Sequence, residues 1–333
     1  MKTGIIGAGL QGKRRSQAIK EFNDTELLIV ADSDRERAER LAAEMACEAT
    51  TDWQSVVARD DIEAVIICTP PDSHPEICNA AARQGKHVLC EKPLARNPEE
   101  AQQMVNAAAE NGIRLKCGFN LRYHPGIQQA RQWLNEGIIG EPLFIRSCYG
   151  IGGSPDYEKN WRAKPQISGG GQLMDQGMHT IDLARYFLGE FSEASGFTQT
   201  CYWDIAPAED NAFALLKTAK GQVASIHVSW TQWRNLFSFE IFGKDGYARV
   251  EGLGGSYGVE KAILGKREFL KPFEERIIDF RGADKSWQVE WKEFTDAISE
   301  KREPSGNGQD GLAAIKIAYA VYESENNRQV VNL

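Results

Sequence analysis

The chain has 333 residues, 42% of them hydrophobic and 26% charged, with 39 Lys and Arg against 47 Asp and Glu for a formal net charge of −8. That length exceeds one typical core and suits two domains, and the acidic excess argues against a nucleic-acid surface, which gathers Lys and Arg. No apolar run approaches the roughly eighteen residues that span a bilayer, so no membrane partner is expected.

The first apolar strand, Thr3 to Ile6, runs into Gly7-Ala8-Gly9-Leu10-Gln11-Gly12 and then a helical pattern. A second apolar run, Leu27 to Ala31, ends at Asp32, twenty positions after the last glycine. In that context the glycine string is a dinucleotide clamp. Gly7 permits the tight turn, Gly9 leaves room for the pyrophosphate, and Gly12 lets helix and strand pack closely. The free N–H groups of the helix start meet the phosphates, which places Leu10 and Gln11 at the cofactor as well. An ordinary glycine-rich turn is the alternative, but it leaves Asp32 unexplained. A carboxylate there accepts hydrogen bonds from the adenosine ribose and repels a 2′-phosphate, favouring NAD over NADP. Lys13, Arg14, Arg15 and Arg35 lie close by in sequence and are either a phosphate contact or a solvated helix face.

The start of the chain enters a strand without the apolar stretch of a secretory signal. Cys47, Cys68, Cys78, Cys90, Cys117, Cys148 and Cys201 form no Cys-x-x-Cys pair, so reduced thiols and a cytoplasmic protein are expected. The runs Leu27 to Ala31, Ala64 to Cys68, His87 to Cys90 and Ile113 to Cys117 alternate with helical patterns at Asp34 to Met45, Ser73 to Arg83 and Pro98 to Asn111. This is βαβ patterning on a parallel sheet. After a helix from about Pro125 to Glu136 the chain turns strand-rich, at Leu143 to Tyr149, Ala212 to Thr218, Gln222 to Trp230, Phe237 to Phe242 and Tyr247 to Glu251. Gly243-Lys244-Asp245-Gly246 reads as a hairpin turn. Helices at Ser286 to Ser299 and Gln309 to Glu325 close the chain, the second with an apolar stripe that can return to the first domain. The fold class is therefore α/β: an N-terminal doubly wound parallel sheet over residues 1–120, and a C-terminal α+β domain over 121–333 built on an open, largely antiparallel sheet.

Two constellations carry candidate chemistry. Lys92 follows the strand His87 to Cys90, in Cys90-Glu91-Lys92-Pro93, where the sheet meets its ligand; it is either a proton-handling or oxygen-binding lysine or a surface lysine before a proline turn. Gly169-Gly170-Gly171 leads through Asp175 to His179. On an α-helix these two share a face at i and i+4, so that the carboxylate orients the imidazole as a base; the alternative is a helix cap and a core histidine. Asp182 adds a potential third ligand to a metal reading, but nothing else in the sequence forms a metal cluster, and no metal is expected.

With these residues in view the chain resembles the glucose-fructose oxidoreductase, inositol dehydrogenase and MocA (Gfo/Idh/MocA) family over its whole length. The resemblance rests on the glycine string, on Lys86 to Ala95, and on Gly170-Gly171 leading to Asp175, Gly177 and His179. It implies a Rossmann domain followed by a domain whose open sheet packs on a neighbouring subunit, and hence a homo-oligomer. It implies that Lys92, Asp175 and His179 converge on the substrate as the catalytic set. Thr69, Pro70 and His74 are identified with the turn facing the nicotinamide side, and Glu91 with Lys92 joins them at the cofactor. Asn120, Arg122, Tyr123, Trp161 and Arg162 supply donors and aromatic faces of the kind that bind sugars; Tyr157 and Lys164 are held to packing or solvent. The expected activity is NAD-dependent oxidation of a secondary hydroxyl of a sugar, nucleotide sugar or cyclitol. The alternatives are glycoside cleavage through transient oxidation and a non-catalytic cofactor-binding regulator.

Overall fold

Short apolar strands alternating with helices fold, in the computed structural model of the chain, into a six-stranded parallel sheet; residues 1–272 and 274–333 are described. In order these are β1 (Lys2–Ile6), α1 (Leu10–Lys20), β2 (Glu26–Ala31), α2 (Arg35–Met45), β3 (Glu48–Thr50), α3 (Trp53–Val57), β4 (Ala64–Ile67), α4 (His74–Arg83), β5 (His87–Cys90), α5 (Pro98–Glu110) and β6 (Leu115–Cys117). The strand order β3-β2-β1-β4-β5-β6 reverses direction between β1 and β4. Ligands of doubly wound sheets lie beyond the carboxyl ends of the strands at such a switch.

Local chemistry accounts for the helix starts. Asp34 caps α2 by accepting the Arg37 N–H at 3.2 Å, and Asn97 caps α5 by accepting the Glu100 N–H at 2.8 Å, just before Pro98. Strand β3 and helix α3 were not expected; at three and five residues they are too short to show a hydrophobic period. Val65, Ile66 and Ile67 of β4 are wholly buried, as a strand covered on both faces requires.

The first unit comprises Met1–Asn120, Gln166–Gly169 and Trp287–Ile315. The sequence suggested a cut after residue 120 with the last helix able to return to the first domain, and Trp287–Ile315 falls in this unit. The reason is packing: Trp291 and Phe294, both buried, join Ile5, Ile19, Val30, Ile66 and Leu89 in one core. Truncating an aromatic in such a core costs about 3–5 kcal/mol, so this segment is held where its aromatic rings are buried.

The second unit comprises Leu121–Pro165, Gly170–Ser286 and Lys316–Leu333. From residue 125 onward the elements are α6 (Pro125–Asn135), β7 (Pro142–Gly150), the single turn α7 (Pro165–Ser168), a π-helical turn Leu173–Gly177, α8 (Met178–Leu188), β8 (Phe191–Gln199), β9 (Asn211–Thr218), β10 (Val223–Ser229), β11 (Leu236–Gly243), β12 (Gly246–Glu251), β13 (Glu260–Lys266), β14 (Glu275–Phe280), α9 (Ser286–Ser299), α10 (Gly308–Asn327) and β15 (Val331–Asn332). The sheet order is β14-β13-β12-β11-β7-β10-β9-β8-β15, and among the described residues only β7 and β10 pair in parallel.

The expected turn at Lys244 and Asp245 joins β11 to β12. Strands β8, β13, β14 and β15 escaped the sequence reading; β8, Phe-Ser-Glu-Ala-Ser-Gly-Phe-Thr-Gln, has little of the β-branched content that marks a strand. Helices α6 and α8 pack on the sheet face that buries Ile226, Phe239 and Val250. On the other face Phe144, Phe213, Leu215 and Ile277 are exposed, and the strand registers bring them to one side of the sheet. All seven cysteines are free thiols. No described helix is long and apolar enough to cross a membrane.

Candidate functional site

In the first unit the glycines at the end of β1 do three different things. Gly7 has φ +106°, and a Cβ there would lie 2.6 Å from the Cys68 carbonyl carbon; a Cβ on Gly12 would lie 1.9 Å from the Gly7 oxygen. These two are required by the protein itself. Gly9 has nothing within 4 Å of its would-be Cβ, so its lack of a side chain serves only an approach from outside. Gly9 is also the N-cap of α1 and offers no side chain to the N–H groups of the first turn, which leaves those donors for an anion. Gly9→Ala should therefore change folding stability by no more than about 1 kcal/mol while lowering NAD affinity at least tenfold. Gly12→Ala should lower stability by about 1–3 kcal/mol even without NAD. Thermal melts of both variants with and without NAD check this.

Asp32, at the end of β2, accepts the Ala8 N–H at 2.7 Å through Oδ2 and the Asp34 N–H at 2.9 Å through Oδ1. Two acceptor positions of the carboxylate are left for ribose hydroxyls. The nearby cations are engaged elsewhere. Lys13 pairs with Glu44 at 2.9 Å and Arg35 approaches Glu39 at 3.7 Å. The Arg14 guanidinium lies over the Trp287 ring, and Arg15 is buried. These residues fit a dinucleotide carrying a free 2′-hydroxyl.

At the ends of β4 and β5 two residues expected at the cofactor have partners within the protein. His74 is fully buried, with Nε2 at 2.8 Å from the Thr69 carbonyl and Nδ1 at 3.1 Å from that of Pro93. Burial holds its imidazole below the usual pKa. It tethers the turn after β4 to the turn after β5. Glu91 is buried too, and its carboxylate receives Arg15 Nε at 2.8 Å; the same guanidinium donates to Glu290 at 2.5 Å. Glu91 is therefore an ion-pair residue of the interior. Thr69 accepts the Ser73 hydroxyl at 2.7 Å, and Pro70 precedes the turn that leads into α4. Lys92 follows Glu91, half-buried, at the carboxyl edge of the sheet.

In the second unit Gly170-Gly171 enters the π-helical turn Leu173–Gly177, which holds Asp175, and His179 lies in the first turn of α8. The expected α-helical i, i+4 alignment is thus altered: a π turn closes i→i+5 bonds and changes the phase of the residues before α8. Asp175 Oδ2 lies 3.5 Å from Arg162 Nε, and the Arg162 guanidinium stands 4.4 Å from the centre of the Trp161 ring. The Tyr149 ring lies 6.3 Å from that of His179 and 5.5 Å from that of Tyr257. Tyr257 Oη accepts Gln176 Nε2 at 3.1 Å. Burial raises the Tyr257 phenol above its usual pKa, and the Asp175 charge adds to the shift. Carboxylate, imidazole, guanidinium and phenol therefore cluster on one short stretch of helix and the loops around it.

Other expected substrate residues are placed differently. Arg122 is buried and pairs bidentately with Asp182, Nε to Oδ2 at 2.8 Å and Nη2 to Oδ1 at 2.5 Å, with its guanidinium also 4.9 Å from the Tyr186 ring centre. That ion pair engages Arg122 and accounts for the place of Asp182. Asn120 and Tyr123 are buried in the turn between β6 and α6. Tyr157 packs against Trp203 and Trp230, as its structural reading anticipated. Among the described residues no group of three or more His, Cys, Asp or Glu side chains is placed to hold a metal ion.

The model of the oxidoreductase family with an NAD-binding Rossmann fold matches residues 1–119, and that of the GFO/IDH/MocA C-terminal domain matches residues 127–249. The chain belongs to the Gfo/Idh/MocA oxidoreductase family. It is 29% identical to levoglucosan dehydrogenase of Pseudarthrobacter phenanthrenivorans, covering 97% of this chain and 96% of that one. It is 28% identical to inositol 2-dehydrogenase of Rhizobium meliloti, covering 100% and 99%. A solved structure of levoglucosan dehydrogenase in complex with NADH and levoglucosan matches with a TM-score of 0.90 at 27% identity, over 100% of this chain and 99% of the other. The cofactor of this Gfo/Idh/MocA protein is NAD, which its glycine cradle and Asp32 accommodate.

Tyr149, Gln176 and Tyr257 were missed from the sequence. Tyr149 reads as one more aromatic in a strand, and Tyr257 lies in the glycine-rich loop Gly252 to Gly258, which carries no chemical motif. Gln176 sits between Asp175 and Gly177, inside the motif itself.

Proposed function

We propose that this oxidoreductase oxidises a secondary hydroxyl of a cyclic sugar or cyclitol, with Lys92, Asp175 and His179 as its catalytic residues. The observation that carries the reading is the cluster of Asp175, His179, Arg162 and Tyr257 on the second unit of a chain whose first unit binds NAD. The named relatives, levoglucosan and inositol dehydrogenases, support the substrate class. NAD supplies the hydride acceptor. His179 accepts the hydroxyl proton as hydride leaves the same carbon, Asp175 orients and stabilises the imidazolium, and Lys92 binds the reacting oxygen. Trp161 offers a ring face to the sugar, and Arg162 holds Asp175 in place. Thr69 and Pro70 border the nicotinamide.

The test is NADH absorbance after mixing the protein and NAD with cyclitols, anhydrosugars, free sugars and nucleotide sugars. A substrate-dependent rise supports the reading. Cleaved glycoside without net NADH would replace it with transient oxidation, and NAD binding without any turnover would replace it with sensing.

The exposed apolar residues of the nine-stranded sheet further support a homo-oligomer closed through that face. Light scattering should give a mass of at least two chains, and Leu215→Arg, placed beside exposed Phe213, should shift it toward one. An unchanged mass would remove the face as the interface. Seven free thiols suit the reducing cytoplasm proposed as its location.

A further inference from the structure

The helical segment carrying Asp175 and His179 begins in a run of glycines that has no side chain to cap it. Three N–H groups at its start are nevertheless satisfied, all by one distant residue. Glu209 accepts the Gly171 N–H at 3.0 Å through Oε2, the Leu173 N–H at 2.8 Å through Oε1, and the Gln172 N–H at 2.9 Å through its backbone carbonyl. The Tyr322 hydroxyl of α10 donates to Oε1 at 2.8 Å.

The glycines exist for this contact. A Cβ on Gly171 would lie 2.1 Å from the Glu209 oxygen, and one on Gly170 would lie 2.4 Å from the Tyr322 hydroxyl. Glu209 is 5% exposed; burial pushes its carboxyl above the usual carboxylate range, and the bonds from Leu173, Tyr322 and Gly171 act against that shift in favour of the ionised form, charge-assisted bonds of this kind being about twice as strong as neutral ones. The neighbouring carboxylate, Asp210, turns the other way and accepts the backbone N–H groups of Cys201, Tyr202 and Trp203. Glu209 therefore serves the helix start.

We propose that Glu209, locked by Tyr322, is a positioning residue for the reaction: it fixes where the π-helical turn begins and thereby where Asp175 and His179 stand. This rests on the catalytic reading of those two residues. The phase of a π turn followed directly by an α-helix depends on where its first bonds close. Anchoring N–H groups 171 to 173 sets that phase, and a displacement of about 1 Å at the reacting groups costs on the order of a hundredfold in rate.

The test compares Glu209→Gln and Tyr322→Phe with wild type by kcat, KM, the pH dependence of kcat, NAD affinity and backbone hydrogen exchange over residues 171–179. Glu209→Gln keeps the shape, removes the charge and can turn an amide N–H₂ toward an N–H donor. Expected results are a kcat at least tenfold lower with a displaced pH profile, NAD affinity within about twofold of wild type, and faster exchange at 171–179; Tyr322→Phe should move every readout the same way by less. A lowered melting temperature with wild-type kcat and pH profile would overturn the proposal, reducing Glu209 to a structural cap. If Glu209→Gln does not fold, Tyr322→Phe decides. If wild type itself turns over no polyol, the catalytic reading has failed, and exchange over 171–179 still judges the anchoring: unchanged exchange in both variants would refute it.

Discussion

Lys92→Ala should lower turnover of a cyclic polyol by at least about a hundredfold while NAD affinity changes by no more than about twofold. The lysine stands at the carboxyl edge of the parallel sheet, half-buried, two residues beyond a strand whose Val88, Leu89 and Cys90 are core. The cofactor cradle, by contrast, is made of Gly7, Gly9, Gly12 and Asp32, none of which needs the lysine for its conformation. Loss of the ammonium should therefore act on the chemical step and spare binding. His179→Ala should fall by a similar factor through loss of the proton acceptor. The double variant should be barely worse than either single one, because groups that act on one proton and one oxygen are not additive. Steady-state NADH formation and NAD titration by fluorescence measure both quantities. Wild-type turnover in either single variant would remove that residue from the catalytic set.

The largest loss of stability is expected at Arg15. Its guanidinium, 1% exposed, is shared between Glu91 and Glu290, both buried. Arg15→Ala would take away the guanidinium that the two carboxylates share, leaving the Lys116 charge to act on Glu290, and removing one partner of a buried ion pair typically costs about 3–5 kcal/mol. Burial and the Glu91 charge already push the Glu290 carboxyl above its usual pKa. Glu290→Gln, which removes that repulsion and keeps an oxygen for Arg15, should accordingly cost no more than about 1 kcal/mol. Urea unfolding followed by Trp fluorescence separates the two cases, since Trp287 lies 4.6 Å from the Arg15 guanidinium and Trp291 is in the core. Equal losses in the two variants would mean that packing, not charge balance, dominates there.

Features written into residue type were legible in the sequence. The glycine string could be read because backbone clearance at Gly7 and Gly12 admits no other residue, and Asp32 because its place at a strand end is fixed by spacing. The alternation of short strands and helices sufficed for the first sheet. Partner choice was not legible. Nothing near Arg122 in sequence announces Asp182, sixty positions away, nor does Glu91 announce Arg15. His74 was placed near the cofactor through the family resemblance of its turn, and the carbonyls that hold it, from two separate loops, had no signal in sequence. The π turn was missed for a different reason: one extra residue in a helical turn leaves the composition unchanged and shifts only the phase. Glu209 showed no signal, since capping by a distant side chain has no local spacing.

The bond from the Ala8 N–H to Asp32 ties cofactor choice to loop order. The carboxylate expected to discriminate against a 2′-phosphate also accepts the Ala8 N–H of the glycine loop, so one side chain would serve both the ribose and the order of the loop. Redesign toward NADP would therefore alter two properties in one stroke. A neutral replacement that removes the repulsion but offers no acceptor would also release the loop, and the gain in selectivity would be offset by the entropy of ordering it on binding. Replacements that retain a short side-chain oxygen, such as Asp32→Ser, separate the two roles and define the practical route to a changed cofactor.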